Sequence, residues 1–299
     1  MGLGAKEGIM LGRITLGLFF LLLVWGNLVA GMKAGLGCPD WPLCHGRVVP
    51  PFRWDIYMEF GHRVIAAIAS AFLLALSFVR FREYRGAARG VPVLAVSLLA
   101  VEILVGGFVV ILELPVRLTA FHFFTGLSVF ALVLYMATFY GKRTPVLPPA
   151  GGASNIFLVF AGVIFFQAVL GAYVRHSQAG LACPDFPTCL GSLVPPVMDA
   201  KVLTQFSHRL LAYLIAATAF ALYSLTLINS RMAGLRRPAL ALFLVVLLQI
   251  AVGAGVVLSQ LYFMMTALHL AVALGMLVLV ERMWVMEAIR REAAWKPEA

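Results

Sequence analysis

The chain repeats itself. The segment AGLGCPDWPLC at 34–44 returns as AGLACPDFPTC at 179–189, and EFGHR at 59–63 returns as QFSHR at 205–209. EILVGGFVV at 102–110 returns as QIAVGAGVV at 249–257, and TAFH at 119–122 returns as TALH at 266–269. The copies lie 145 to 147 residues apart throughout. Four motifs at a near-constant offset mark two homologous halves, so whatever one half folds into the other must fold into as well.

What each half folds into follows from its apolar content. Hydrophobic residues make up 62% of the 299 and charged residues 12%, with a mean hydropathy of +0.97. Soluble domains carry about 25% charge, so a soluble enzyme, a disordered chain and a fibrous protein are excluded. Eight apolar segments stand out, at 11–31, 57–80, 91–111, 117–139, 154–174, 203–228, 239–259 and 263–281. Each is long enough to cross a bilayer as a helix of about 20 residues, and charged or Gly/Pro-rich stretches separate them. The first reads as a span rather than a cleaved signal, because it is long and has no clear small-residue cleavage site. The fold class is therefore an all-α integral membrane protein with eight transmembrane helices in two tandem four-helix bundles. Four spans per half give both halves the same orientation, which implies a pseudo-twofold axis along the membrane normal. The N-terminal half covers 1–140 and the C-terminal half 154–299. The stretch GKRTPVLPPAGGA at 141–153 is the linker between them.

Basic residues orient the chain. Lys6 and Arg13 at the start, Arg80, Arg82, Arg85 and Arg89 after span 2, and Lys142 and Arg143 after span 4 fall on one side. Arg231, Arg236, Arg237, Arg282, Arg290, Arg291 and Lys296 join them, making 15 of the 23 Lys and Arg. The positive-inside rule makes that side, and both termini, cytoplasmic. The same rule accounts for the net charge of +10, so no nucleic-acid partner is implied. All four cysteines then fall in the outer loops 32–56 and 175–202, in a compartment where disulfides persist.

Four of the six histidines lie inside spans. His62 and His122 occupy spans 2 and 4; His208 and His269 occupy the equivalent places in spans 6 and 8. Each stands about five to seven residues from the outer end of its helix, within about 10 Å of the boundary. Ionisable groups inside a membrane are costly and mark function. Two imidazoles facing across a bundle suit the axial positions of a haem iron, whereas zinc takes three or four protein ligands. The halves differ beside these residues. Glu59 precedes His62 by three positions, on the same helix face, where the second half has Gln205; Glu102 in span 3 is matched by Gln249. One cavity holds two carboxylates and the other two amides, which suggests a reactive N-terminal site and a permanent-cofactor C-terminal site. Alternatively, Glu59 merely neutralises Arg63. Arg63 and Arg209 follow the histidines and could meet haem propionates or snorkel to the interface.

Each cysteine pair has the pattern C-P-D-[WF]-P-x-C. Five intervening residues with two prolines can fold back, pairing Cys38 with Cys44 and Cys183 with Cys189. A loop staple suits both; the first pair, beside the reactive half, is also open to redox participation. Trp41 and Phe186 read as interfacial anchors or haem-edge packing. His45 and His176 read as peripheral loop residues.

In combination, these motifs resemble the haem A synthase family of bacteria and mitochondria over about residues 12–285. The resemblance implies oxidation of the C8 methyl group of haem O to a formyl group, by two hydroxylations and loss of water, for cytochrome oxidase. It implies a haem b cofactor on His208 and His269, and haem O as substrate between His62 and His122. It also implies a catalytic carboxylate at Glu59 and external disulfides at Cys38/Cys44 and Cys183/Cys189. The expected partners are a haem O synthase as donor, the cytochrome oxidase assembly machinery, an unidentified electron donor and the lipid bilayer of a prokaryotic plasma membrane. Small residues such as Gly17, Gly26 and Gly162 permit contacts in a homo-oligomer. Two other readings explain part of the pattern. A di-haem quinol:acceptor oxidoreductase accounts for the histidines but less well for the Glu-to-Gln exchanges. A proton-coupled transporter accounts for the repeats and the ionisable groups.

Overall fold

The computed structural model describes residues 5–140 and 153–294. Within them are eight α-helices: α1 (Ala5–Gly31), α2 (Trp54–Glu83), α3 (Gly90–Ile111), α4 (Val116–Thr138), α5 (Ala153–His176), α6 (Ala200–Ile228), α7 (Arg236–Leu258) and α8 (Phe263–Ala294). All eight are long and apolar enough to cross a membrane, and among the described residues there is no regular strand. The chain is an all-α, multi-pass membrane protein. Most of the linker at 141–153 lies outside the described residues, as do Lys142, Arg143 and Lys296.

Local chemistry sets the helix ends. Pro92 and Pro238 stand in the first turns of α3 and α7, where a backbone N–H has no intrahelical acceptor and its loss costs nothing. The Asp199 side chain caps α6 by accepting from the N–H groups of Lys201 and Val202 at 2.8 and 2.9 Å, satisfying two otherwise unpaired donors. Helices α3 and α7 end alike: Glu113 and Leu114, and their counterparts Gln260 and Leu261, all take positive φ. Their N–H groups fold back onto Val110 and Val109, and onto Val257 and Val256. The duplication is thus visible in the backbone as well as in the letters. Several helices outrun their apolar segments. α8 continues to Ala294 because helical hydrogen bonding does not stop where hydropathy falls.

The chain divides into two compact units, Met1–Val146 and Leu147–Ala299. In the first, each helix packs on the next and α1 closes against α4; in the second, the same sequence of packings ends with α5 against α8. Leu73, Leu76, Leu127, Phe130 and Val133 are buried in the first unit, and Ala219, Leu222, Leu242, Val246 and Leu274 in the second. Large apolar side chains such as Leu94, Leu104, Phe166, Leu214 and Phe220 point outward, as they must when the surrounding solvent is lipid.

Among the basic residues counted on the cytoplasmic side, Arg80 is set apart by its burial. It lies inside α2 and is fully buried. Its guanidinium donates to the carbonyls of Met136 at 2.7 Å and Gly8 at 2.9 Å, and to Glu83 Oε2 at 2.7 Å. It therefore ties α1 and α4 to α2 rather than facing lipid headgroups.

Candidate functional site

His62 and His208 each stand eight residues into their helices, and His122 and His269 each stand six. At about 1.5 Å per residue these are depths of roughly 9–12 Å, so the repeat places both pairs alike. His208 and His269 come together with ring centroids 6.5 Å apart. A metal held between two imidazole nitrogens at about 2 Å puts the centroids about 6 Å apart, so this pair fits a bis-histidine iron. His62 and His122 lie within electrostatic reach of each other, and Glu59 within reach of His122. All four rings are half-buried, yet in each the Nδ1 atom is buried and has no hydrogen-bond partner. The Nε2 atom of His269 instead meets the Gln249 amide at 3.3 Å. Among the described residues no three His, Cys, Asp or Glu side chains gather as metal ligands.

The two carboxylates of the first half are both present at the site. Glu59 is buried and accepts from Arg63 Nε at 3.1 Å. Glu102 places Oε1 3.1 Å from His122 Nδ1, outside hydrogen-bonding geometry, while its Oε2 accepts the Thr125 hydroxyl. In the second half Gln205 donates to the Gly180 carbonyl at 3.3 Å, and Gln249 Nε2 lies 3.3 Å from His269 Nε2. Two participants escaped the sequence reading. Thr125 lies three residues after His122, on the same face, and its counterpart is Val272. Gln167, a polar residue within apolar α5, donates to the His208 carbonyl at 2.8 Å; Leu22 stands in its place in the first half.

Above each pair sits a cysteine loop, built the same way twice. Cys38–Cys44 and Cys183–Cys189 are disulfide-bonded, with Cα atoms 4.7 and 4.6 Å apart, and all four sulfur-bearing residues are buried. Arg63 reaches up from α2 to donate to the carbonyls of Asp40, Leu43 and Cys38 at 2.8, 2.7 and 3.0 Å. Arg209 does the same from α6 to Asp185, Thr188 and Cys183 at 2.8, 2.7 and 2.6 Å. The motif aspartates brace the turns from within. Asp40 accepts from the N–H groups of His45 and Gly46, and the Gly46 N–H holds its carboxyl below the usual range. Asp185 accepts from the Thr188 hydroxyl and from the N–H groups of Leu190 and Gly191. The Thr188 hydroxyl is the largest influence holding this carboxyl down, at about 2. The Trp41 ring lies against Gly107 of α3. A pocket lined by Phe186, Pro187, Cys189, Leu193, Phe206, Arg209 and Tyr213 opens beside the second disulfide. His45 bonds within its loop, to the Gly37 carbonyl at 2.9 Å, whereas His176 is the last residue of α5 rather than a loop residue.

These features define a multi-pass membrane protein with a duplicated unit, each copy carrying two imidazoles beneath a disulfide-bonded loop. Residues 10–280 match the COX15-CtaA family model, described as cytochrome oxidase assembly protein. The haem A synthase of Symbiobacterium thermophilum is 31% identical over 85% of this chain and 87% of its own. Those of Shouchella clausii and an Exiguobacterium species are each 30% identical over 83% of this chain, and over 86% and 82% of their own lengths. The chain belongs to the haem A synthase family.

Proposed function

We propose that the chain oxidises the C8 methyl group of haem O to a formyl group, with haem O bound in the N-terminal half between His62 and His122. A resident haem b is held in the C-terminal half by His208 and His269. The observation that carries this reading is the contrast between two otherwise equivalent histidine pairs: carboxylates at Glu59 and Glu102 in one, amides at Gln205 and Gln249 in the other. A permanent cofactor needs ligands and no acid–base group nearby; a reacting methyl needs a group that can take and return protons. The centroid spacing of His208 and His269 supports iron ligation.

The bound haem b would supply one-electron redox chemistry. The protein's own residues do the rest. The apolar helices exclude water from the porphyrin and place its methyl group. Glu59, held at Oε1 by Arg63, keeps Oε2 to hold or move a proton at the reacting carbon. Each hydroxylation replaces one C–H bond by C–OH with the oxygen of a water molecule, releasing two protons and passing two electrons to an acceptor supplied from outside the chain; after the second, the geminal diol loses water to leave the aldehyde. With four of its five N–H donors engaged by Glu59 and the loop, Arg63 has one left for a propionate; Arg209 is placed equivalently. The equal burial of both disulfides supports loop staples in both halves, because buried sulfurs resist thiol exchange.

In the cell this reading places the chain in a prokaryotic plasma membrane, with termini cytoplasmic and cysteine loops outside. A haem O synthase would deliver substrate, and cytochrome oxidase assembly would take the product. The test is co-expression with a haem O source, followed by extraction of the porphyrins. Haem A should appear only when this chain is present. Stable bound haem with unconverted haem O would instead favour simple electron transfer.

A further inference from the structure

We infer that Gly26, Gly106, Gly171 and Gly253 are positioning residues, each serving as the steric seat of one histidine ring and fixing the rotation at which that ring offers Nε2. A methyl group built on Gly26 would stand 2.9 Å from Cε1 of His62; the distance is 2.9 Å from Gly106 to His122, 3.0 Å from Gly171 to His208 and 2.9 Å from Gly253 to His269. Carbon atoms in contact rest about 3.5–4.0 Å apart. Every seat lies on the helix preceding its histidine: α1 for α2, α3 for α4, α5 for α6 and α7 for α8. In every case the nearest ring atom is Cε1.

The second observation concerns the nitrogen next to that carbon. A metal-ligating histidine usually has its orientation fixed by donating its other N–H to a carbonyl or carboxylate. Here the Nδ1 atoms of His62, His208 and His269 are buried without a partner, and that of His122 has only the Glu102 carboxylate 3.1 Å away, outside hydrogen-bonding geometry, so in three of the four no such bond sets the ring. Contact with the glycine backbone does, because the imidazole is rigid and its final torsion is otherwise broad. Small size alone is not the point. Helices α1 and α5 carry a second equivalent pair, Gly17 and Gly162, and a methyl group on either would meet nothing within 4 Å. The duplication therefore supplies four seats and, on two of the same helices, two unoccupied controls.

The inference rests on the ligand assignment proposed above, and its test separates the two. The full-length protein is purified with its resident haem. Gly171→Ala and Gly253→Ala should change the low-spin ferric electron paramagnetic resonance spectrum, which reports the orientation of the two imidazole planes. They should also speed transfer of the haem to excess apomyoglobin by about 10-fold or more, the usual scale for disturbing a ligand's support. Gly162→Ala should match wild type in both. Gly26→Ala and Gly106→Ala should leave the resident spectrum intact while weakening titrated haem O binding about 10-fold or more. If Gly171→Ala and Gly253→Ala behave like Gly162→Ala, the seats are refuted. If those two proteins fail to accumulate, the first-half variants decide, with the resident haem reporting a folded chain; unchanged haem O affinity then overturns the inference. His208→Ala and His269→Ala, measured alongside, should lose the resident haem. If they kept it, the ligand assignment would fail independently of the glycines.

Discussion

The carboxylate of Glu102 stands 3.1 Å from Nδ1 of His122, and the equivalent Gln249 amide lies 3.3 Å from Nε2 of His269. The same position on equivalent helices thus addresses opposite nitrogens of the two rings. Beside His122 a negative charge backs the ring on its Nδ1 side, where it strengthens the imidazole as a ligand or steadies its charged form. Beside His269 there is no such charge.

Glu102→Gln should therefore act on one half only. Gln249 shows that an amide fits this helix position, so folding and resident haem should be preserved. Conversion of haem O should fall by about 10- to 100-fold, the usual range for losing an outer partner of a metal-bound histidine. Haem A yield per milligram of membrane protein, with the resident Soret absorbance as internal reference, makes the comparison. Thr125→Val, which installs the residue found at 272, should give a smaller loss in the same direction.

The second cysteine loop should be acid-resistant down to an identifiable point. The Asp185 carboxyl sits at about 2 against an ordinary 3.8, with the Thr188 hydroxyl the largest cause. A carboxyl held low binds protons less readily when folded than when unfolded. Its stabilising contribution is therefore complete above the ordinary value and disappears as pH falls toward 2. Reduction of Cys183–Cys189 by a phosphine, which remains active in acid, should accelerate between about pH 4 and pH 2. Asp185→Asn should be reduced quickly already at pH 5 and show little further change. A wild-type rate that is flat across that range would remove the aspartate from any role in holding the loop.

Arg80 anchors the opposite end of the first unit. Its removal leaves the Met136 and Gly8 carbonyls and the Glu83 carboxylate without this donor. Arg80→Ala should cost about 3–5 kcal/mol, as other broken buried ion pairs do, seen as a lower thermal unfolding midpoint in detergent. Arg82→Ala, at a residue exposed at the same helix end, should leave the midpoint nearly unchanged.

Which of these features the sequence could disclose follows from their physics. The eight helices were legible because hydropathy and bilayer thickness impose the same length scale. The histidine pairs, the Glu-to-Gln exchanges and the cysteine pairing were legible because the duplication places one copy beside the other as a control. The partners of Arg80 were hidden because a positive charge near a helix end looks the same in sequence whether it faces headgroups or the carbonyls of two neighbouring helices. Arg63 and Arg209 could be read as propionate ligands or snorkelling residues. Only the fold shows that each spends most of its donors on a loop some twenty residues earlier in the chain. The glycine seats were hidden because a glycine's contact depends on the rotation of a neighbouring helix, which no periodicity records. Gly26 and Gly17 read identically until their surroundings are known.

Glu59 carries the last prediction, and the fold sharpens it. Glu59 accepts from Arg63 Nε at 3.1 Å, which by itself would support a purely structural role in which the carboxylate steadies the arginine that clasps the loop. The second half answers that argument. Arg209 keeps all three of its loop carbonyls with Gln205 in the place of the carboxylate. The clasp therefore does not need a negative charge beneath it, and a buried carboxylate that the clasp does not need calls for another use. Glu59→Gln should leave the Cys38–Cys44 loop resistant to reductant and the resident haem in place, since size and hydrogen-bonding reach are kept while the titratable proton is lost. Turnover should fall by about 10²-fold or more, the range of a lost general acid or base, with haem O and the singly hydroxylated product accumulating. The measurement is the ratio of haem A to haem O plus intermediate, in membranes holding equal amounts of the two proteins. An unchanged ratio combined with a loosened loop would return Glu59 to a structural role and move the acid–base function to Glu102, the other carboxylate within reach of His122.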